Sequence, residues 1–436
     1  MFTDEEKRVL QQIDARRNEV VGLLRELLRF KTVTPLTGEK ADGDDYRRHQ
    51  AFVSKYLEEL GFGVETWDAD AASLPVFPGS GVMSDRDLSN MPIVVGRREG
   101  RGRSLLLNGH YDVVPPGVLE NWTVPPFEGV VADGKVFGRG ACDMKGGLAA
   151  ALEALRCIAN AKVDVPGGLV FESVPDEEQS SMGTLACCQR GIRADAGLIP
   201  EPTDLQVLVA TRGSYAGVIS VFGRAGHSEE TPKPWEQGGA VNAITKAAKV
   251  VRALEALNED WGKRPEKHHK YLDPDIIVPT MIRGGEWEVM YPERVDITFT
   301  SDFVPATKDI HGEIQAALDR VASEDSWMRE HPPVLQPPES DYLYASEVRE
   351  DEPIVKTASA ALADLGVAPK LVGCGSLTDM VHLVNYSKVP TVSVGPSART
   401  AHRPDEHVSI DELVAATKAI ALVILRWTGE PASGLS

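Results

Sequence analysis

Cysteine is scarce in this sequence, and long apolar runs are missing. The five cysteines include no Cys-x-x-Cys pair, which argues against a zinc ribbon or a disulfide framework and favours reduced thiols in the cytoplasm. The first residues, MFTDEE, are acidic, so no signal peptide is expected. The apolar runs are too short to cross a bilayer, so no membrane partner is expected either.

Basic residues are outnumbered by acidic ones, 46 against 65, which gives a formal net charge of -19. Such a surface repels phosphate backbones, so nucleic acid is not expected as a partner. The sequence of 436 residues is 42% apolar and 25% charged, which is typical of a globular protein with a large core. Its length favours two domains.

Short apolar runs alternate with segments of helical periodicity in the first half of the sequence. Apolar residues between Leu10 and Leu28 recur at helical spacing, which predicts one helix over about 3–29, capped by Thr3 or Asp4. Strands are predicted over 93–96, 104–108, 168–174 and 196–200, with an Ala/Leu-rich helix over 146–161. Strands that alternate with helices indicate an α/β core.

The sequence changes character after about residue 212. Strands and helices follow in the order β-α-β-β-α, without the spacing of a parallel sheet, and a charged, irregular segment is expected over 258–275. A proline-rich stretch over 332–338 marks the return to the first domain. We therefore expect a small α+β domain over 213–330, inserted into an α/β domain formed by 1–212 and 331–436.

Acidic and imidazole side chains follow the ends of several predicted strands. They are His110, Asp112, Glu177, Glu178, Glu201 and His402, and Asp143 lies in a glycine-rich turn before the helix predicted over 146–161. Each of them alone is typical of a turn or a helix cap. Together they would meet at the carboxyl edge of the sheet, where the carboxylates repel one another unless cations neutralise them. A ligand set of two histidines and three of these five carboxylates suits zinc, or else cobalt or manganese.

Six segments of the sequence resemble the signature blocks of the M20 family of co-catalytic metallohydrolases. In chain order they are NGHYDVVPPG, GRGACDMKGG, SVPDEEQSSMG, IPEPTDL, GRAGHSEETP and AHRPDEHVSIDEL. That family includes acetylornithine deacetylase, succinyl-diaminopimelate desuccinylase, aminoacylase and glutamate-releasing carboxypeptidases. The resemblance implies an α/β fold, with a mixed-sheet catalytic domain and an inserted α+β lid and dimerisation domain, and hence a homodimer.

The resemblance also implies a site for two divalent metal ions. Asp143 would bridge the two ions. His110 and Glu201 would complete one metal site, and Glu178 and His402 would complete the other. Zinc is the expected metal, with cobalt and manganese as alternatives.

Three further residues receive roles from the resemblance. Asp112 would hold the imidazole two residues before it, and Glu177 would act as the general base that moves a proton from water to the leaving amine. His227 of the inserted domain would reach the partner subunit's active site and stabilise the oxyanion. The same resemblance implies a cis peptide bond between Asp143 and Met144.

The sequence departs from the family at positions that commonly bind a substrate carboxylate or the oxyanion. Val289 stands near the usual Asn, no Arg follows Asp302 and Phe303, and His382 replaces an Arg of many members. The arginines that remain candidates for this role are Arg212, Arg283 and Arg399. The segment GGEW resembles a looser deacetylase- or desuccinylase-like subgroup that includes a pyrimidine-precursor deformylase.

We expect a two-metal amidohydrolase that removes an acetyl, succinyl or formyl group from an amino acid or a related small amine. A metallopeptidase that cleaves dipeptides or releases a C-terminal residue would use the same metals, and the missing arginine favours the deacylase or deformylase. A third hypothesis is an inactive relative that only binds a small molecule. Such relatives usually lose a ligand or the base, whereas all five ligand positions and Glu177 are present here.

Overall fold

The computed structural model describes residues 2–35, 41, 43–83, 85–336 and 342–430. Its helices are α1 (Asp4–Ala15), α2 (Arg17–Arg29), α3 (Gly43–Glu59), α4 (Lys145–Asn160), α5 (Met182–Gln189), α6 (Ala243–Trp261), α7 (Ile310–Ser323), α8 (Ser326–Glu330), α9 (Pro353–Asp364), α10 (Met380–Asn385) and α11 (Ile410–Thr428). Among these described residues, no helix combines the length and the apolar character that a membrane span requires.

The strands alternate with these helices along most of the chain. They are β1 (Gly63–Asp68), β2 (Pro92–Arg98), β3 (Gly102–His110), β4 (Val130–Ala132), β5 (Lys135–Phe137), β6 (Gly167–Val174), β7 (Ala196–Ile199), β8 (Val207–Thr211), β9 (Gly213–Phe222), β10 (Ile276–Gly284), β11 (Arg294–Phe303), β12 (Val334–Gln336), β13 (Tyr342–Leu343), β14 (Ser346–Glu347), β15 (Leu371–Cys374), β16 (Thr391–Ser393) and β17 (His407–Ser409).

The chain divides into two compact units. The first comprises the described residues up to Ala210, Ser346–Gly373 and the described residues from Thr378 on. The second comprises Thr211–Ala345, as far as it is described, and Cys374–Leu377. It continues beyond position 330, the limit expected from the sequence, because β12 and β13 both pair with β9. Pro337 and Pro338 of the proline-rich stretch lie outside the described residues.

A mixed sheet forms the centre of the first unit. Its strand order is β1-β2-β6-β3-β7-β16-β8-β14, and β15 also pairs with β8. β3 is parallel to both of its neighbours, β6 and β7, and β16 is parallel to β7. The Ala/Leu-rich helix α4 is buried along nearly its whole length and packs against α2, α11 and β3. A helix that is apolar on most of its sides is buried in such a core.

The predicted N-terminal helix is broken into α1 and α2 at Arg16. Thr3 caps α1, because its Oγ1 accepts a hydrogen bond from the Glu6 backbone N–H. Arg16 leaves helical geometry at φ -105° and ψ 23°, and its Nε donates to Glu153 of α4 at 2.5 Å. The prediction of one continuous helix was therefore wrong at this residue. The apolar spacing on either side did not reveal the break, because α1 and α2 each bury their own apolar face.

The second unit has its own antiparallel sheet and its own core. The strand order is β10-β11-β9-β12, with β13 also paired to β9, and α6 and α7 pack against each other. Helix α6 continues to Trp261, whose side chain is buried, so it extends into the segment expected to be irregular from residue 258 on. The segment expected to be irregular contains a buried Lys267, whose Nζ lies 2.9 Å from Asp275 Oδ2 and 2.5 Å from Glu313 Oε1.

Gly147, near the start of α4, allows this helix to approach the end of β7. A Cβ atom on Gly147 would lie 1.8 Å from the carbonyl oxygen of Pro200, the residue before Glu201. Glycine usually destabilises a helix relative to alanine. Here the close approach of two backbones excludes any side chain.

We expect Gly147→Ala to lower the free energy of unfolding by about 1–3 kcal/mol, because α4 must move away from β7. Gly22→Ala in α2 is the matched control, since no atom lies within 4 Å of the Cβ that it would add. This control should raise stability by about 0.5–1 kcal/mol. Chemical unfolding of both variants measures the difference, and equal stabilities would contradict the close-approach argument.

Candidate metal centre

Neighbouring parallel strands of the first unit bring acidic and imidazole side chains to one edge of the sheet. β6, β3, β7 and β16 lie side by side and run in the same direction. His110 is the last residue of β3. Glu177 and Glu178 follow β6, and Glu201 follows β7. His402 lies further along the loop that follows β16. The shared strand direction is the reason why residues distant in sequence meet here.

Asp143 lies between the two imidazoles, in the turn before α4. Its Oδ1 is 3.2 Å from His110 Nε2, and its Oδ2 is 3.3 Å from His402 Nε2. The peptide bond from Asp143 to Met144 is cis, as the resemblance implied. One carboxylate oxygen thus faces each imidazole, which is the orientation that a bridging ligand needs.

Glu178 and Glu201 each lie beside one of the two imidazoles. Glu178 Oε2 is 3.1 Å from His402 Nε2, and Glu201 Oε1 is 3.7 Å from His110 Nε2. Ligand atoms of His110, Asp143 and Glu178 all lie within 4.8 Å of one another. The structure therefore brings together two groups of three residues that share Asp143.

The donor atoms and the charge of this cluster fit divalent cations. Glu178 Oε1 is buried and has no hydrogen-bond partner. Burial raises the pKa of Glu177 and of Glu201 well above the ordinary range, and repulsion from the neighbouring carboxylates adds to the increase. Unpaired carboxylates in such surroundings are costly unless a cation neutralises them. A mixed set of imidazole nitrogens and carboxylate oxygens suits zinc, cobalt or manganese.

The two imidazoles bind protons tightly when the carboxylates around them are not neutralised. Hydrogen bonds to Asp143 and Glu178 raise the pKa of His402 to about 10. Burial opposes a charge on His110, but the neighbouring carboxylates, Glu201 foremost, raise the pKa of its imidazole well above the usual value. Because a metal ligand must be a neutral imidazole, protons and cations compete for these two side chains.

Asp112 contacts His110 through its backbone as well as its side chain. His110 Nδ1 is 3.0 Å from the Asp112 carbonyl oxygen and 3.7 Å from its Oδ1. A carbonyl oxygen only accepts, so Nδ1 of the neutral ring donates and Nε2 is free to face the cluster. The buried Asp112 carboxylate also accepts from the backbone N–H groups of Glu177 and Glu178, each at 3.3 Å. Asp112 thus orients both the imidazole and the turn after β6.

Glu177 and Glu178 are adjacent but face different imidazoles. Glu177 Oε2 lies 3.8 Å from His110 Nε2, whereas Glu178 Oε2 contacts His402. Both side chains are nearly buried. Glu177 therefore borders the cluster without lying between its two imidazoles, which leaves its carboxylate available for proton transfer.

His227 belongs to the second unit. It forms an isolated β-bridge with Met290, and its Nδ1 accepts a hydrogen bond from the Glu229 backbone N–H at 3.2 Å. It is not one of the residues that converge in the first unit. Its role at a partner's active site remains a prediction.

The three candidate arginines have different surroundings. Arg212 is buried, and its Nη2 donates to the carbonyl oxygens of Pro274 at 2.8 Å and Asp302 at 3.2 Å. Arg283 lies on β10 in the second unit. Arg399 belongs to the first unit, has a side chain that is 74% exposed, and lies 3.5 Å from Asp204. Arg399 is thus the candidate for binding a substrate carboxylate that lies in the first unit, and its charge faces solvent.

His382 supplies no positive charge at neutral pH. Burial on α10 lowers the pKa of His382 to about 4, so its ring is neutral at neutral pH. Asp379, three residues earlier, is a buried acid near this site that the sequence pattern did not reveal. Its carboxylate oxygens complete no hydrogen bond, although Ser181 and Thr184 lie beside it. The short polar segment before α10 gave no periodic signal that would have revealed its burial.

Comparisons with known proteins extend over nearly the whole chain. The family model for "Peptidase family M20/M25/M40" matches residues 106–426. The N-formyl-4-amino-5-aminomethyl-2-methylpyrimidine deformylases of Halalkalibacterium halodurans and Bacillus subtilis are each 29% identical, over 434 and 436 residues. Each alignment covers 96% of this chain and 96% of the relative. A tripeptidase from Staphylococcus aureus has a TM-score of 0.72 at 19% identity, covering 95% of this chain and 99% of that chain, which shows a common fold.

We expect zinc to raise the melting temperature more at about pH 8 than at about pH 6. Without metal, Glu177 and Glu201 have raised pKa values, so folding takes up protons and stability falls as pH rises. His110 and His402 act in the same direction. Their pKa values are raised in the folded protein, so their protonation stabilises the fold, and this stabilisation is lost as the pH rises toward those pKa values. The pKa of Asp143 is lowered, so its titration changes the stability only at acidic pH, below the range from about pH 6 to about pH 8.

Thermal unfolding of the chelator-treated protein with and without added zinc, across this pH range, measures the effect. The variant Asp143→Ala is the control and should lose most of the zinc-dependent gain at every pH. A gain that stays constant or shrinks as pH rises would contradict the predicted cluster of competing ligands.

Proposed function

The chain belongs to peptidase family M20/M25/M40 and is a hydrolase, and from that membership we propose that it removes the N-acyl group of a small amine. The bond cleaved is a non-peptide amide bond, and water supplies the attacking oxygen. The observation that carries the proposal is the pair of three-residue groups that share Asp143, with Glu177 beside them.

Two divalent metal ions are the cofactors in this proposal, zinc first and cobalt or manganese as alternatives. The residues that would hold them are His110, Asp143 and Glu201 on one side and Asp143, Glu178 and His402 on the other. When bound, such ions polarise the amide carbonyl and lower the pKa of water so that it attacks near neutral pH.

Proton transfer is the step that we assign to Glu177. Its carboxylate takes a proton from the attacking water and delivers it to the nitrogen of the leaving amine. Burial raises the pKa of this carboxyl group, which makes it a better base and lets it hold the proton between the two steps. Asp112 holds the backbone N–H of Glu177 and so positions this base.

A formyl group on a small amine is the substrate that we favour within this class. Two deformylases resemble this chain over 96% of its length, which supports an N-formyl substrate. Arg212 is engaged by backbone carbonyls and His382 is neutral, so neither supplies the usual cation for a substrate carboxylate. Arg212 and His382 therefore favour an amine without a carboxylate over a dipeptide, and Arg399 is the exposed arginine that remains as a candidate.

Release of free amine from a substrate panel, with zinc or cobalt supplied, tests the proposal. The panel contains an N-formylaminomethylpyrimidine, N-formyl, N-acetyl and N-succinyl amino acids, and dipeptides. We expect the highest kcat/KM for the N-formyl compounds. Turnover of dipeptides alone would favour the metallopeptidase. No turnover at full metal occupancy would favour the inactive binding protein.

The adjacent glutamates provide a matched pair of variants in the same assay. Glu177→Gln should lower kcat by about 10²–10⁴-fold and leave metal content unchanged, because it removes the base but not a ligand. Glu178→Gln should instead lower metal content, because it removes a ligand. Full turnover by Glu177→Gln would refute its role as the base.

A homodimer formed through the second unit completes the proposal. β10 lies at the end of the strand order β10-β11-β9-β12, and an edge strand presents backbone groups for pairing with another chain. Several of its large apolar side chains are exposed, among them Val278, Met281 and Ile282. Exposed apolar patches of this kind mark interaction surfaces. In such a dimer, His227 would stabilise the oxyanion at the partner's site.

Light scattering on two surface variants tests the dimer. Ile282→Lys on β10, where the side chain is 59% exposed, should give a monomer. Val334→Lys on the opposite edge strand β12, where the side chain is 41% exposed, should leave a dimer. A dimer in both variants would exclude the β10 edge as the interface.

Mixing two inactive variants tests the role of His227. A dimer of one Glu177→Gln chain and one His227→Ala chain would contain one complete site if His227 serves the partner. We expect activity to return on mixing, to about a quarter to a half of the wild-type value, depending on how the chains re-associate. No return of activity in a proven mixed dimer would contradict the shared site.

The cysteines support a cytoplasmic location, which we also propose. None of the five forms a disulfide, and Cys142, Cys157, Cys187 and Cys188 are buried. Cys187 and Cys188 are neighbours on α5, and burial raises the pKa of both thiols. Unpaired thiols of this kind persist in a reducing compartment.

A further inference from the structure

Glu406 is a fully buried acid in the same loop as His402, and it binds the turn that carries Asp143. Its Oε1 accepts backbone N–H hydrogen bonds at 3.0, 2.9 and 3.1 Å from Gly140, Cys142 and Asp143. Its Oε2 accepts a hydrogen bond from Arg139 Nη1. One carboxylate thus binds three backbone N–H groups of the turn before α4 and the Arg139 side chain.

Backbone pairing holds the same two segments together. The Gly138 N–H donates to the Glu406 carbonyl oxygen at 2.8 Å. Next to this hydrogen bond, β5 pairs with β17, and Phe137 of β5 lies opposite His407 of β17. The turn that contains Asp143 and the loop that contains His402 are therefore fixed to each other at this point.

Arg139 is held on several sides. Its Nη1 lies 3.4 Å from the Arg403 carbonyl oxygen, its Nη2 lies 3.3 Å from the Pro115 carbonyl oxygen, and its guanidinium stacks 5.3 Å from the Trp122 ring. It is almost wholly buried. Its positive charge neutralises Glu406, so this carboxylate adds no net charge beside a cluster that already contains several acids.

We propose that Glu406 and Arg139 are positioning residues for the metal centre, which fix the backbone of Asp143 relative to His402. The inference rests on the metal centre proposed above. Asp143 has one oxygen toward each imidazole, and only a fixed turn keeps both distances at 3.2–3.3 Å. Partners that orient a metal ligand commonly change metal affinity by 10–100-fold when removed.

Zinc titration of the chelator-treated protein, with a competing chromophoric chelator, tests this role. We expect Glu406→Gln to weaken zinc binding by about 10–100-fold. The amide has only one acceptor oxygen, so it cannot accept hydrogen bonds from both Arg139 and the backbone of the turn, and the turn loosens. The cobalt absorption spectrum of this variant should shift as the ligand geometry changes. Asp143→Ala provides the reference for loss of the shared ligand itself.

Asp275→Asn is the matched control. Asp275 is also buried, accepts from the Val304 backbone N–H at 2.7 Å and pairs with Lys267 at 2.9 Å, but it lies in the second unit. Its substitution should lower the melting temperature and leave zinc affinity unchanged. A residue with only a structural role would behave like this control.

Three outcomes decide the inference. Equal zinc affinity of Glu406→Gln and the wild-type protein would overturn the positioning role alone. No zinc or cobalt binding by the wild-type protein would overturn the metal centre and this role with it. If Glu406→Gln does not fold, Arg139→Lys is measured in its place. We expect this variant to bind zinc about tenfold more weakly, and a zinc affinity equal to that of the wild-type protein would overturn the positioning role.

Discussion

Repulsion among buried carboxylates at the ends of β6 and β7 and before α4 is the constraint on which the first unit depends. Glu177, Glu178, Glu201 and Asp143 lie close together in surroundings that raise the pKa of three of them. Stability alone would favour placing such acids in water, since a buried unpaired charge is energetically costly. Divalent cations held by these side chains would relieve this repulsion, and they would also supply the chemistry of the amide hydrolysis proposed above.

Backbone features of the first unit keep this arrangement in place. Parallel pairing brings the strand ends to one edge, and Gly147 lets α4 reach the carbonyl oxygen before Glu201. Asp112 holds the turn after β6 through two backbone N–H groups. Glu406 holds the turn before α4 through three. Buried carboxylates therefore serve two purposes here, because some face the cluster and others bind the backbone behind it.

Most helices and strands followed from apolar periodicity, and the exceptions have identifiable causes. The break at Arg16 depends on Glu153, which is distant in sequence. The extension of α6 to Trp261 depends on burial against the rest of the second unit. The charged segment after α6 contains the buried Lys267, whose partners Asp275 and Glu313 lie far along the chain. Local patterns carry no information about such partners.

The sequence alone determined which residues have the chemistry of a metal site, because imidazoles and carboxylates follow strand ends in segments that resemble those of one family. It also determined that a second, α+β domain interrupts the first. Only the tertiary structure decided which oxygen of Asp143 faces which imidazole, that Arg212 is engaged by carbonyl oxygens, and that Glu406 binds the turn before α4. These are contacts between segments up to hundreds of residues apart, and distance in space is set by strand pairing and packing rather than by spacing in the chain.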